Sequence, residues 1–350
     1  MNTANATRVA AMAFSLLVAL STVAIAQEEN ETLETVLVTG EQPGPGLWKV
    51  SKGENVLWIL GSFGSLPSDM VWRSRELEAR VAESQEVIYP GGTGIKADIG
   101  MFEALSLVPA ALRASKNPDG AKLQVLLSPE AYAKWLVLKA KYIGKDRGIE
   151  KRRPMIVAEQ LNDAVARNSG LGGGVHWQVN QIAKTHGVPI TQLPTIVRVV
   201  EVDGLRKMLK GARKLDFGDA ECLTTNLDRI EPHLGEMKIR ANAWATGDIE
   251  RLRREPGAPA PLNCSDVFMN ALRNGVIEDV AGASAMLQQF DEAQKSAEKQ
   301  WVDTWLQAAE AALTRNTSTV LVMDIGYVLA PAYGAIALLR EKGYTVEEPN

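Results

Sequence analysis

Two short polar turns, far apart in a chain of 350 residues, hold the side chains best suited to chemistry. The first is Gly61-Ser62-Phe63-Gly64-Ser65, where two hydroxyls flank a turn and the glycines let the backbone leave its strand sharply. The second is Asp324-Ile325-Gly326-Tyr327, a carboxylate and a phenol three residues apart. If the two turns meet, with Asp69 beside them, they offer carboxylates and hydroxyls for acid–base work. A serine nucleophile is not specified, because the first turn departs from Gly-x-Ser-x-Gly and no histidine is near it in sequence. The default roles are turn caps for Ser62 and Ser65 and surface loop starts for the aspartates.

The three histidines, His176, His186 and His233, fall at neither turn and show no metal-ligand spacing. Each is expected as a surface or hydrogen-bonded side chain, so neither a metal nor another cofactor is expected. A net charge of −4 carries no footprint for nucleic acid. Arg8, an apolar run over residues 9–25 and Ala24-Ile25-Ala26 form a secretory signal peptide over residues 1–26, with cleavage before Gln27. No later stretch is apolar enough for a transmembrane segment once the signal is removed. Export in turn predicts a disulfide between Cys222 and Cys264, the two cysteines present. Without Cys-x-x-Cys, a thioredoxin-like redox site is not expected.

The elements that must position the two turns follow from apolar patterning. Residues 47–50, a turn at 52–55 and the apolar run 56–60 predict a hairpin whose second strand is buried on both faces. The carboxyl end of such a strand is where α/β proteins place their sites. Ser74 can cap a helix that buries Leu77 and Val81, and residues 86–90 form a second strand. Residues 102–210 read mostly as helix, with a strong start at Ser128-Pro129-Glu130 followed by Tyr132, Trp135, Leu136 and Lys139. Residues 145–153 read as a charged, solvated connection, with an anion site as the alternative. The glycine-rich stretch 168–174 lacks the Lys-Ser/Thr of a P-loop and reads as a flexible loop between helices. Residues 194–200 form another strand.

Residues 220–254 read as helix, with Met237, Ala241 and Trp244 on one side, ended by Gly247 and restarted by an Asp248 cap. A long helix over 282–315 places Trp301, Trp305, Ala308 and Ala312 on a packing stripe. A last long strand covers 319–324, a helix 334–343 stops at its glycine, and an edge strand covers 344–346. Residues 27–46 read as a flexible arm. Within it, Glu34-Thr-Val-Leu-Val-Thr-Gly40 is similar to a TonB box, although an ordinary strand-like arm accounts for the same residues.

Leu47-Trp-Lys-Val50, the glycine turn, the apolar strand and Leu66-Pro67 resemble the opening of the TraB/GumN family, which includes the Tiki-like metalloproteases. Ala241-Asn-Ala-Trp-Ala-Thr-Gly-Asp248 is like the family's Trp-x-x-Gly-Asp, and Gly343-Tyr344-Thr345-Val346 is like its closing Gly-Tyr-x-Val. The resemblance covers residues 47–348. It implies an α/β fold whose central β-sheet is built from the N- and C-terminal units, with a large, mostly helical middle, as one domain over 47–350. It also implies two Gly-x-x-His motifs and a strand-end glutamate holding a metal. The first histidine position holds Gly64 and the glutamate position holds Tyr89 or Pro90. The second histidine position holds Val328 in an ungapped alignment, or Tyr327 with one inserted residue. The expectation is therefore an exported protein, periplasmic by family resemblance and extracellular as the alternative address. It would be non-catalytic, because the family's metal-binding motifs are degenerate, and would bind an unknown peptide or protein in a retained cleft at Gly61, Ser62, Gly64, Ser65, Asp324 and Tyr327. The alternative is a peptidase-like hydrolase with a substituted site at Ser62, Ser65, Asp324 and Tyr327.

Overall fold

Alternating apolar residues around a glycine turn become a hairpin, β1 (Leu47–Lys52) and β2 (Asn55–Ser62), in the computed structural model. Gly53 at the turn has φ 64°, the left-handed conformation that a tight hairpin turn requires of its residue. The structure describes residues 44–64, 66–72, 75–201, 206, 209, 216–254, 257–274 and 283–349. The signal peptide, the arm up to residue 43 with its TonB-box-like run, and the expected roles of Ser65 and Ser74 lie outside the described residues. Residues 44–46, expected as the end of the arm, are held: the Gly44 N–H donates to Ala245 O at 2.9 Å.

The further strands are β3 (Leu66–Pro67), β4 (Val87–Tyr89), β5 (Thr93–Asp98), β6 (Leu171–Gly173), β7 (Ile190–Gln192), β8 (Ile196–Glu201), β9 (Ser318–Asp324) and β10 (Thr345–Glu347). The central sheet has the order β10-β1-β2-β9-β4-β7. The pairs β10–β1 and β1–β2 are antiparallel, whereas β2, β9, β4 and β7 run parallel. First and last units thus form one sheet, as expected, and β10 is its edge strand. Leu57, Ile59 and Leu60 on β2 and Val320, Leu321 and Val322 on β9 are all fully buried. Such continuous apolar runs suit parallel strands covered on both faces.

The helices are α1 (Arg75–Ala82), α2 (Met101–Ala114), α3 (Leu123–Leu126), α4 (Pro129–Leu138), α5 (Pro154–Asn168), α6 (Val175–His186), α7 (Asp219–Ala245), α8 (Ile249–Arg253), α9 (Ser265–Arg273), α10 (Ala283–Arg315), α11 (Ile325–Leu329) and α12 (Ala335–Glu341). Helix α10 packs on β2 and β9 and also on a separate parallel pair, β5–β8, while α1 packs on β9 and α6. A second core gathers Trp135, Leu161, Leu223 and Ile230 from α4, α5 and α7. The Ser128 side chain accepts from Ala131 N, as the sequence predicts, and Asp248 accepts from Arg251 N. Cys222, in the first turn of α7, and Cys264 form the expected disulfide, with Cα atoms 5.9 Å apart.

Two features of the middle differ from expectation. The stretch 168–174 is not merely a loop, since β6 pairs antiparallel with β3. Glycines carry no side-chain pattern, so only the partner strand reveals this pairing. Strand β5, just before the apparent helical run, and β7, within it, were also not expected, and their exposed, mixed residues show no clean alternation. The charged connection 145–153 ends in Arg153, which is buried and donates to Asp219 through Nε at 3.1 Å and Nη2 at 3.3 Å.

Candidate functional site

The parallel register of β2 and β9 sets Ser62 beside Asp324, and β4 lies on the far side of β9. Three strand ends, distant in sequence, therefore open onto one place. There they line a cleft of about 770 Å³ with the first turn of α6, residues 90–93 and Trp301 of α10. This is the carboxyl edge of the parallel strands, where the chain leaves the sheet and its groups are free to meet a ligand.

Each polar group in the cleft has a definite state. Asp324 caps α11, its Oδ1 accepting from Gly326 N at 2.8 Å and Tyr327 N at 3.3 Å. The Tyr327 hydroxyl is buried without a hydrogen-bond partner among the described residues, and burial raises its pKa. The Trp305 indole N–H leans toward that hydroxyl, yet the two do not reach hydrogen-bond geometry. The Tyr327 ring meets the Trp301 ring edge-on with centroids 4.8 Å apart, and the Trp301 indole donates to Pro90 O at 2.9 Å. Tyr89 donates to Asn180 Oδ1 at 2.8 Å, and burial pushes its pKa up to about 12. His176 packs its ring 4.9 Å from that of Tyr89, with Nε2 3.3 Å from Ser62 Oγ. Burial lowers the pKa of His176. Among the described residues lining the cleft, Asp324 is the only acidic side chain and no lysine or arginine joins it; the rest are chiefly aromatic rings, hydroxyls, apolar side chains and glycine backbone.

A transition metal does not fit this donor set. The cleft supplies one imidazole and one carboxylate, and that carboxylate already caps a helix, whereas catalytic zinc sites use three protein ligands. Among the described residues no group of three or more His, Cys, Asp or Glu side chains is placed to hold a metal ion.

Of the residues expected at the cleft, Ser62, Gly64, Asp324 and Tyr327 line it. Gly61 does not. Its carbonyl accepts from the Trp244 indole at 2.6 Å, and a Cβ there would collide with the Ile325 side chain. Ser65 lies outside the described residues, and Asp69 does not line the cleft. His176, expected as a surface or hydrogen-bonded side chain with no place at either turn, sits within hydrogen-bond distance of Ser62, 114 residues away in sequence. Trp301, expected only for packing, also forms a cleft wall. The signal that could have found His176 is its place in the first turn of a helix that starts directly after a glycine run. Pairing it with Ser62 required knowing that β3 and β6 join.

Among known protein families, residues 46–348 match the TraB/PrgY/gumN family. No curated protein and no solved structure matches the chain.

Proposed function

The chain belongs to the TraB/PrgY/gumN family, and from that premise we propose that its cleft binds a peptide or protein segment without a metal-dependent hydrolytic step. The observation that carries this reading is the content of the three converging strand ends. Where the resemblance implies histidines and a glutamate, the cleft presents Gly64, Tyr89 and Tyr327 around Asp324. Aromatic walls with glycines between them suit an extended chain: the rings give apolar contact, and the glycines leave room for a close approach. Asp324 favours a basic residue in the bound segment.

Gly92 gives a clean test. It lines the cleft, and a side chain built there meets nothing within 4 Å. Gly92→Trp should fill the cleft while leaving the melting temperature unchanged. Peptides selected from a random library on the protein should lose binding to this variant, and the protein should carry less than stoichiometric zinc. If selection yields no peptide, or Gly92→Trp binds as well as the parent, the reading fails. One equivalent of zinc with chelator-sensitive peptidase activity would also overturn it.

A second reading, a hydrolase with a substituted site, is favoured by the 3.3 Å approach of His176 Nε2 to Ser62 Oγ. A neutral imidazole at that distance can take the hydroxyl proton as the oxygen attacks a carbonyl carbon, then return it to the leaving group. Covalent labelling of Ser62 by a fluorophosphonate, lost in both Ser62→Ala and His176→Ala, would establish this alternative. No labelling at any pH would dismiss it.

Export remains part of the proposal. Among the described residues no helix is long and apolar enough to cross a membrane, and Arg8 with Ala24-Ile25-Ala26 supports secretion. A mature amino terminus at Gln27 in the periplasmic fraction is the expected result. Met1 retained in the soluble fraction would count against it.

A further inference from the structure

Helix α11 separates the cleft from a second cavity of about 830 Å³. Tyr327 faces the cleft, while Gly326, Val328 and Leu329 line the second groove. Four arginines, Arg240, Arg253, Arg254 and Arg340, stand around this groove over an apolar floor. That is a concentration of positive charge in a chain whose net charge is −4.

The groove already holds one anionic group, supplied by the chain itself. Glu348, just past β10, accepts from Arg340 Nη2 at 2.9 Å and also pairs with Arg253. Arg253 has a second acidic neighbour, Glu250, at 2.9 Å. Arg240 turns two donors onto backbone carbonyls, those of Leu252 and Arg254, which fixes its fork at the end of α8. Arg254 is exposed, and its guanidinium has no hydrogen-bond or ion-pair partner among the described residues. One carboxylate of a peptide tail is thus seated, and guanidinium capacity beside it is left over.

We propose that this groove is a docking site for an acidic peptide segment of a partner protein, in which partner carboxylates take Arg254 and compete with Glu348 for Arg340 and Arg253. Guanidinium forks match carboxylates in a paired geometry, and the apolar floor accepts aliphatic side chains between the acidic ones. The seated tail is the occupant that shows the chemistry. The site is separate from the peptide cleft, and it stands or falls independently of the reading proposed for that cleft.

The test uses a fluorescent peptide of alternating glutamate and leucine and its analogue with glutamine for every glutamate, titrated against the full mature protein. The acidic peptide should bind, and its affinity should fall as salt rises. Arg254→Glu, at an exposed and unpaired position, should weaken binding about tenfold, the size of one charge-assisted hydrogen bond, with an unchanged melting temperature. Glu348→Gln should strengthen binding, because it frees Arg340 and Arg253. Gly92→Trp, which blocks the other cleft, should leave it unaltered. Equal binding of the glutamine peptide, no effect of Arg254→Glu, or weaker binding in a folded Glu348→Gln protein would each overturn the proposal. So would no binding at all.

Discussion

Trp244 is the residue whose loss the fold should feel most directly at the site. Its indole donates at 2.6 Å to Gly61 O at the end of β2, and the ring is almost wholly buried against Trp72. Trp244→Phe keeps most of the apolar volume but strands a buried carbonyl, which should cost about 1–3 kcal/mol. Chemical denaturation that shows no loss of stability would mean that the bond contributes nothing net. His176 makes a pH prediction. Burial holds its folded pKa below the unfolded imidazole value of about 6.5, and His233 is shifted in the same direction by burial. Between the two values the unfolded chain binds more protons than the folded one. The contribution of these histidines is therefore complete above the unfolded pKa and is lost as pH falls below it. The denaturation midpoint should drop between about pH 7 and 5.5, above the range in which Glu231 and Glu348 titrate. His176→Asn should shrink that drop, and an NMR titration of His176 should give a pKa below the usual value. An equal slope in the variant would refute the assignment.

At the scale of elements, helix starts were legible because they depend on neighbouring residues. Ser128-Pro129 and Gly247-Asp248 act as the sequence implies, since caps and left-handed glycines satisfy local backbone groups. Asp248→Ala should cost about 1 kcal/mol through α8. The start of α7 depends instead on a distant partner. Asp219 is buried against Arg153, whose guanidinium also lies over the Phe217 ring. Asp219→Ala would remove a buried carboxylate that takes two guanidinium donors of Arg153 and should cost about 3–5 kcal/mol. A loss below about 1 kcal/mol, the range of exposed pairs, would show that solvent reaches the site. Nothing in residues 145–153 announced this burial, because a charged run looks the same whether its last arginine faces water or an aspartate from another helix. Strands β5 and β6 were hidden for a related reason: with few apolar residues or with glycines, their identity comes from the strands they pair with.

For the whole molecule, the disulfide joins residues 42 apart and ties the start of α7 to the segment before α9. Restricting the unfolded chain over that span contributes about 4 kcal/mol by the chain-entropy argument. Reduction should lower the melting temperature, whereas alkylation of both thiols in native, unreduced protein would show that the bond does not form in solution. The sequence by itself determined the hairpin, the strand at 319–324 and the closing helix and edge strand, while the joining of both ends of the chain in one sheet was what the family resemblance implied. It also placed two polar turns at strand ends. These features rest on apolar periodicity and turn residues, interactions that act over a few positions. Only the tertiary structure decided that Ser62 stands beside Asp324, that His176 reaches Ser62, that Gly61 is spent on Trp244, and that Arg240, Arg253, Arg254 and Arg340 share one groove. Each of these contacts joins segments whose encounter is set by how the sheet and helices pack, and no local propensity encodes which distant side chain will fill the space.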